Sequence, residues 1–293
     1  MITVLCSGGI DSWACLCWAC NKFGPNNVRP VYYSFRQKYS EREIAAGKKL
    51  CARFELELKV IELPAAMLLK EFGETAHIPL RNLLFLVLSA APEDCNGVVF
   101  GMLLREESED KNPKFLKQVR KLLKSQFVAT PHRPEAKPFQ IYTPFAHMTK
   151  AELVKWLCMT KFRKEGIFDS TACYNPIRPC GKCISCLNRW VALELNEIYD
   201  EDWLFVDRTV PSSAAASFAS FATRSHPFWM VLDIALGKRK PLVEKPTLML
   251  RWKHRHNVIE GYRAANNFCK RIWGVSFVSM MRFEKGKGKC SES

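Results

Sequence analysis

The sequence lacks several features that would place it in other classes of protein. No uncharged apolar run reaches about 18 residues, which argues against a membrane span. There is no internal repeat, and no Gly-Lys-Ser or Gly-Lys-Thr sequence completes a Walker A motif. The 13 cysteines, an odd number in a chain of 293 residues, argue against a disulfide framework. What is left is a globular chain long enough for one large or two modest domains.

Negative charge is scarce. The chain has 44 Lys and Arg residues against 29 Asp and Glu residues, a formal net charge of +15. Between residues 230 and 293 there are 14 Lys or Arg against 5 Asp or Glu, so much of the excess lies in the last part of the chain. This excess favours an anionic partner such as nucleic acid, with a solvated basic surface as the alternative.

The first two thirds of the chain alternate between apolar strand patterns and helix patterns. This alternation predicts an α/β fold: an open, mainly parallel sheet sandwiched by helices, with a C-terminal extension. The composition changes near residue 205, so we predict a domain over residues 1–205 and a basic extension over 206–293. The predicted strands cover residues 2–6, 28–34, 56–62 and 97–101. The first predicted helix ends near residue 20, and the others cover residues 39–54, 80–91, 113–127, 149–165 and 188–199. Residues 128–141 are predicted to be a Pro-rich connection.

Two local features sharpen this prediction. Thr149 can cap the helix of residues 149–165, with Glu152 as the partner in a capping box. Three cysteines in the first helix, Cys15, Cys17 and Cys20, are predicted to be small buried residues and not ligands, because free cysteine is among the most buried residue types.

A short motif follows the first predicted strand and reads Ser-Gly-Gly-Ile-Asp-Ser from Ser7. Gly8 and Gly9 let the backbone turn sharply and approach a phosphate without a Cβ clash, and the helix that follows presents free amides to that phosphate. Ser7 and Ser12 can add hydroxyl donors, and Asp11 can orient the loop or help to hold Mg²⁺. The motif predicts a phosphate-binding loop, with an ordinary strand-to-helix turn as the alternative.

Four cysteines cluster near the middle of the chain: Cys173, Cys180, Cys183 and Cys186. Four thiolates suit a tetrahedral zinc ion and leave no position open, so the cluster predicts a structural zinc knot over residues 173–186. An iron–sulfur cluster is the alternative.

The Ser-Gly-Gly-x-Asp-Ser motif resembles the PP-loop of the ATP pyrophosphatases of the adenine nucleotide α-hydrolase-like (HUP-like) superfamily. That resemblance implies cleavage of ATP between its α and β phosphates, with ATP bound at the carboxyl ends of the strands of a parallel sheet. An oxygen of the substrate is adenylated, and a nitrogen or sulfur nucleophile then displaces AMP.

The cysteine spacing narrows the resemblance to the 7-cyano-7-deazaguanine synthases, over residues 2 to about 195. Residues 78–85 (IPLRNLLF) resemble the Val-Pro-x-Arg-Asn helix start of that family, and residues 149–152 resemble its Thr-Lys-x-Glu helix. The resemblance implies conversion of 7-carboxy-7-deazaguanine and ammonia to the nitrile, at the expense of ATP. It implies Ser7, Gly8, Gly9, Asp11 and Ser12 as the residues that hold pyrophosphate and Mg²⁺, with Arg81 and Lys150 as candidates for anion contact.

The chain departs from the family in the loop that recognises the base. Gly101, an acid at Glu106 and Ser108 match the family, whereas its Tyr-Pro-Asp-Cys element has no counterpart in residues 101–115. The Gly and His of the family's Tyr-Gly-Gln-Arg-His are Arg36 and Tyr39 here. We therefore expect a remodelled substrate pocket beside retained ATP chemistry.

Three functional hypotheses follow. The first is a nitrile-forming, AMP-forming ligase of 7-deazaguanine metabolism. The second is a divergent enzyme that adenylates another carboxylate, such as one on a macromolecule, and joins an amine or base to it. In that case the basic C-terminal region would dock a nucleic acid or protein. The third is a non-catalytic nucleic-acid-binding protein on the same fold. A homodimer is left open, and a cytoplasmic protein is expected, because a cleaved signal peptide would remove the motif at residue 7.

Overall fold

The computed structural model describes residues 1–64, 78, 80–104, 110–126, 139–176, 179, 184–198, 263, 264, 266, 267, 270 and 271. It divides into two compact units, residues 1–178 and residues 179–293, which are described separately. The predicted domain boundary near residue 205 lies outside the described residues and stays a prediction. No helix among the described residues is long and apolar enough to cross a membrane.

The first unit is built on a five-stranded sheet in which every pair of neighbours is parallel, in the order β3-β2-β1-β4-β5. This confirms the predicted α/β class with a parallel sheet. β1 is the central strand, buried between β2 and β4. The strands are β1 Ile2–Leu5, β2 Val28–Ser34, β3 Lys59–Glu62, β4 Gly97–Val99 and β5 Gln140–Tyr142.

Six described α-helices accompany the sheet in this unit, with a short 3-10 helix at Pro25–Asn27. The chain runs outwards from β1 to β3 and then returns to β4 and β5, so right-handed crossovers place α1 and α2 on one face and α3 and α4 on the other. α5 and α6 pack against α1. The helices are α1 Ile10–Phe23, α2 Ser40–Ala52, α3 Arg81–Ala90, α4 Pro113–Gln126, α5 Lys150–Leu157 and α6 Lys161–Asp169.

The core follows the apolar faces of these elements. On the α3 and α4 side, Leu86, Leu116 and Val119 pack with Val98 of β4 and Ile141 of β5. On the other side, α1 is buried along most of its length, as its apolar sequence predicts.

The cysteines of α1 are core residues, as predicted. Cys15, Cys17 and Cys20 are all buried. Burial raises the pKa of Cys20 to about 12 and raises that of Cys17 further, so both thiols stay protonated and are poor metal ligands.

Two parts of the sequence-based secondary structure are wrong. The helix predicted over 149–165 is two helices, because Thr160 caps a new helix by accepting a hydrogen bond from Arg163 N, at 3.3 Å. The connection predicted over 128–141 overlaps the start of β5, which the sequence did not reveal because a strand of three residues carries too little periodicity. The capping box of Thr149 and Glu152 is confirmed, with N–O distances of 2.7 and 3.3 Å.

The described part of the second unit contains the helix α7 Ile184–Glu194, which overlaps the helix predicted from 188. Glu194 near its end is buried and accepts a hydrogen bond from Arg271, at 2.8 Å. Burial raises the pKa of this carboxyl, and the Arg271 guanidinium opposes that shift.

In a sheet of this order, the loops after β1 and β4 leave in opposite directions. A crevice therefore opens at the carboxyl ends of these two strands, where ligands bind in open α/β sheets. The predicted phosphate loop follows β1 directly, so the topology places it at this crevice.

Candidate active site

The predicted phosphate loop, which contains Ser7, Gly8 and Gly9, is shaped by close packing against α2. Gly8 has a φ of 72°, in the left-handed region, and a Cβ at this position would lie 2.5 Å from the Glu43 carbonyl oxygen. Glycine is therefore required at this position by both conformation and space. Gly9 is less restricted, since a Cβ there would lie 3.4 Å from the Thr171 oxygen, an ordinary contact. The Gly8 carbonyl accepts a hydrogen bond from Thr171 N, at 2.8 Å, which fixes the loop from the other side.

α1 begins directly after the loop, with Gly9 as its N-cap and no side chain capping it. The first-turn amides and the positive end of the helix dipole are therefore available to an anion at this point. Ser7 is exposed and lines the adjacent cavity, whereas Ser12 is buried and donates its hydroxyl to the Gly9 carbonyl, at 2.9 Å. Of the two predicted hydroxyl donors, Ser7 is the one whose position in the structure suits a ligand.

Asp11 and Lys150, 139 residues apart in the chain, form an ion pair. The Lys150 Nζ lies 3.1 Å from Asp11 Oδ1 and 3.2 Å from Oδ2. Asp11 lies in the first turn of α1, and Lys150 is the first residue of α5, held in place by the capping box that precedes it. Oδ1 is buried and accepts no hydrogen bond of good geometry. The structure thus brings together two of the residues predicted from sequence, in an ion pair at the start of α1.

A cavity of about 270 Å³ extends from the phosphate loop along the carboxyl ends of the strands. Ser7, Asp11 and Ser12 form one end of its lining, and Arg81 and Lys111 also line it. Arg81 is the first residue of α3, whose N-terminus is anchored because Asn82 donates both its backbone and side-chain N–H groups to the Asp110 carboxylate, each at 3.0 Å.

One wall of the cavity is aromatic. Phe85 lies between Tyr33 and Phe35, with centroid distances of 5.1 and 5.5 Å and interplanar angles of 20° and 25°. Tyr39 and Tyr174 form a second pair that lines the cavity, at 5.2 Å. The stacked rings of Phe85, Tyr33 and Phe35 present a flat apolar surface that suits a heteroaromatic base.

The cavity also contains a carboxyl that sequence reasoning missed. Tyr32 donates its hydroxyl to Glu43 Oε2, at 2.6 Å, and accepts from Gln37 Nε2, at 2.7 Å. Burial raises the pKa of Glu43 to about 7, opposed by the Tyr32 hydrogen bond and the Arg81 charge. Burial and the Glu43 charge together raise the pKa of Tyr32, which stays protonated as a donor. Gln37 matches the Gln of the family's Tyr-Gly-Gln-Arg-His motif, so the sequence drew attention to it. No sequence feature distinguished Glu43 from the other acidic residues.

The structure shows where the residues that depart from the family pattern lie. Arg36, which replaces a glycine, has a φ of 57°, the left-handed conformation that a glycine adopts without strain, and is exposed beside Glu62. Tyr39, which replaces a histidine, lies in the cavity against Tyr174. Gly101 lies beside Asp11, while Glu106 and Ser108 fall outside the described residues.

The predicted zinc ligands are only partly described. Cys173 is buried and accepts a hydrogen bond from Asn175 N, at 3.3 Å, and Cys186 is buried in α7. Cys180 and Cys183 lie outside the described residues. Within the described ranges, no three His, Cys, Asp or Glu side chains gather as a metal site, so the four-cysteine set stays a prediction.

The comparisons with known proteins all point to the same family. A family model described as "Queuosine biosynthesis protein QueC" matches residues 1–77 and 68–197. The chain is 26% identical over 208 residues to a 7-cyano-7-deazaguanine synthase of Acinetobacter baylyi, covering 62% of this chain and 86% of the relative. It is 28% identical to the synthases of that name from Chromobacterium violaceum and Clostridium botulinum, covering 62% of this chain and 84% and 90% of those relatives.

Proposed function

This chain belongs to the QueC family of queuosine biosynthesis proteins, and from that premise we propose that it is an ATP-dependent, AMP-forming C–N ligase. Its reaction is the conversion of 7-carboxy-7-deazaguanine and ammonia to 7-cyano-7-deazaguanine. The observation that carries the proposal is a single cavity that extends from the phosphate loop and Asp11, the partner of Lys150, to a stacked aromatic wall. ATP and a flat base are the two ligands that such a cavity suits.

The residues at the loop end fit a nucleotide with its magnesium ion. The uncapped start of α1 presents free backbone amides at the loop, and Asp11 Oδ1 is a buried acceptor without a hydrogen bond of good geometry. Asp11 would hold Mg²⁺, which supplies neutralisation of the phosphate charges. The loop amides bind the pyrophosphate that leaves, and Lys150 neutralises negative charge beside it.

The base end of the cavity would position the carboxylate. Phe85 and its neighbours stack on the ring system, and Glu43, when ionised, accepts the N–H donors of a guanine-like edge. Arg81 presents a planar guanidinium, whose fork matches the geometry of a carboxylate or phosphate. These contacts hold the acid for attack on the α-phosphate and keep water away from the acyl adenylate.

The chemistry proceeds in two activations. A carboxylate oxygen of the base attacks the α-phosphorus of ATP, and pyrophosphate leaves. Ammonia then attacks the acyl carbon, AMP leaves, and the nitrogen loses a proton to give the amide. The amide oxygen attacks the α-phosphorus of a second ATP with loss of pyrophosphate; departure of AMP and loss of the remaining N–H protons leave the nitrile.

The assay that tests this function follows ATP, AMP and base products by mass after incubation with 7-carboxy-7-deazaguanine, ammonia and Mg²⁺. A nitrile supports the proposal. AMP formed without nitrile, or only with another acceptor, replaces it with the second hypothesis, which Tyr39 and the altered loop at 101–115 favour. No AMP with any carboxylate, together with nucleic-acid binding, supports the non-catalytic alternative.

Glu43→Gln tests the base contact through its pH dependence. The Glu43 carboxyl is neutral below about pH 7 and ionised above it, so acceptance of N–H donors strengthens as pH rises through that value. Loss of a hydrogen bond to a charged group, about 1.5–3 kcal/mol, lowers kcat/KM for the base about 10- to 100-fold above pH 8. The deficit shrinks toward pH 6.

The measurement is the ratio of mutant to wild-type kcat/KM at each pH, because this ratio removes the titration of ammonia that both proteins share. Glu41→Gln, on the exposed side of the same helix, is the control and is expected to give a ratio near one throughout. A ratio for Glu43→Gln that does not change with pH contradicts the assigned contact.

On the cysteine spacing alone, the proposal includes a structural zinc ion held by Cys173, Cys180, Cys183 and Cys186. Cys183→Ser is expected to release the metal, since three remaining thiolates no longer complete the tetrahedral set. Zinc content per chain, measured by mass spectrometry after desalting, checks this. Cys158→Ser, outside the set, is expected to retain zinc; equal zinc content in both variants rules out the assignment.

A further inference from the structure

The exposed side of α4 carries a concentrated positive charge that the proposed reaction does not use. The helix contains five Lys or Arg residues and no Asp or Glu. All five are exposed, and we refer to the four lysines, Lys114, Lys117, Lys121 and Lys124, as the α4 lysine stripe.

The stripe occupies a single face of the helix. At 100° per residue its four positions fall within an arc of about 80°, and at 1.5 Å per residue they extend over about 15 Å. The buried residues Phe115, Leu116, Val119 and Leu123 lie on the opposite side. The helix is therefore fixed in rotation by its core contacts, with the lysines turned outwards.

The positive charge of the stripe is not neutralised by nearby carboxylates among the described residues, and hydrogen bonds hold its helix in place. None of its four ammonium groups forms an ion pair in the part of the chain that the structure describes. At its border Arg120 donates to the Ile141 carbonyl, at 2.9 Å, and Asn112 caps the start of the helix by accepting from Phe115 N, at 2.9 Å. Four like charges kept this close gain from an anionic partner that neutralises them together.

We propose that the α4 lysine stripe docks the phosphate backbone of a nucleic acid strand. A nucleic acid strand carries one phosphate per nucleotide, so a row of ammonium groups can contact several phosphates together. A lipid surface suits it less well, because an amphipathic helix binds a membrane through its apolar face, and here that face is buried in the core.

The position of the stripe relates it to the cavity. Lys111, three residues before Lys114, lines the cavity, with its Nζ 6.0 Å from the Phe100 ring centroid. A strand lying along the stripe runs to the mouth of the candidate active site. The docking surface proposed here consists of residues of α4 alone and does not depend on which carboxylate the site takes.

The test compares two variants of equal charge. One replaces the stripe (Lys114, Lys117, Lys121 and Lys124) by Gln, and the control replaces four exposed lysines elsewhere (Lys48, Lys49, Lys155 and Lys164) by Gln. Binding of fluorescein-labelled 20-nucleotide RNA and DNA is measured by anisotropy between about 50 and 200 mM NaCl, a range in which phosphate contacts give a steep salt dependence. Circular dichroism melting and ATP turnover check that both variants are folded.

The wild-type protein is expected to bind with a steep fall of log affinity against log salt. Loss of four phosphate contacts reduces that slope by about 3 for a single strand and weakens binding at least about tenfold at 100 mM salt, while the control changes the slope by less than about 1. Equal losses in both variants, no loss in the stripe variant, or no wild-type binding at 50 mM salt overturns the proposal. Stripe-dependent binding of phosphatidylserine vesicles without binding of either nucleic acid overturns it in favour of a lipid surface.

Discussion

Asp11→Asn is expected to lower kcat for AMP formation about 100- to 1,000-fold, the range observed when one preorganised electrostatic contact to a transition state is removed. The substitution keeps the size of the side chain and removes the charge beside Lys150. It therefore leaves the loop intact while it removes the carboxylate that would hold Mg²⁺. The measurement is the rate of AMP release at saturating ATP and Mg²⁺.

The control is Asp94→Asn, which breaks an ion pair with Arg29. Arg29 lies at the start of β2, at the opposite end of the strand from the candidate site, so turnover is expected to be unchanged. Lys150→Met alone and combined with Asp11→Asn completes a double-mutant cycle. Because the two side chains are in contact, their effects are expected not to add. Wild-type turnover in Asp11→Asn, with the fold preserved, would remove Asp11 from the mechanism.

Gly8→Ala is expected to lower the free energy of unfolding by at least about 2 kcal/mol, because the left-handed conformation alone costs an L-residue about 1–2 kcal/mol. The close approach to the Glu43 carbonyl adds to this, since that oxygen is backbone and cannot turn aside. Chemical denaturation, with the midpoint and slope both measured, checks the prediction.

Gly9→Ala is the matched variant. Its Cβ has ordinary contacts, so the free energy of unfolding is expected to change by less than about 1 kcal/mol, near the size of the usual Gly-to-Ala effect. ATP affinity is expected to fall, because the new methyl group stands where the phosphate would approach the backbone. A stable Gly8→Ala protein, or a Gly9→Ala protein that binds ATP as the wild type does, would contradict this division of roles.

Local sequence was sufficient for much of the fold and for the loop. A buried strand, two glycines and an apolar helix are consecutive in the chain, so their geometry is set by neighbours in sequence. The capping box of Thr149 is equally local and could be predicted residue by residue. β5 could not, because Gln140–Tyr142 forms a strand only through its pairing with β4. Thr160 was a sequence signal for the end of one helix and the start of α6. Its role as a cap is clear only when the bounds of α5 and α6 are known.

The candidate site shows the same division. The sequence by itself determined the parallel α/β class, because periodicity acts over short distances. Its first motif predicted a phosphate loop with Asp11, and its resemblance to a family added Arg81 and Lys150 as candidates. Only the tertiary structure brought Asp11 into contact with Lys150 and stacked Phe85 on Tyr33 and Phe35. Only the tertiary structure, likewise, buried Glu43 against Tyr32, which raises the pKa of the Glu43 carboxyl to about 7. Those properties arise from burial and from contacts between segments far apart in the chain, and the energies that set them depend on distances that no local pattern contains.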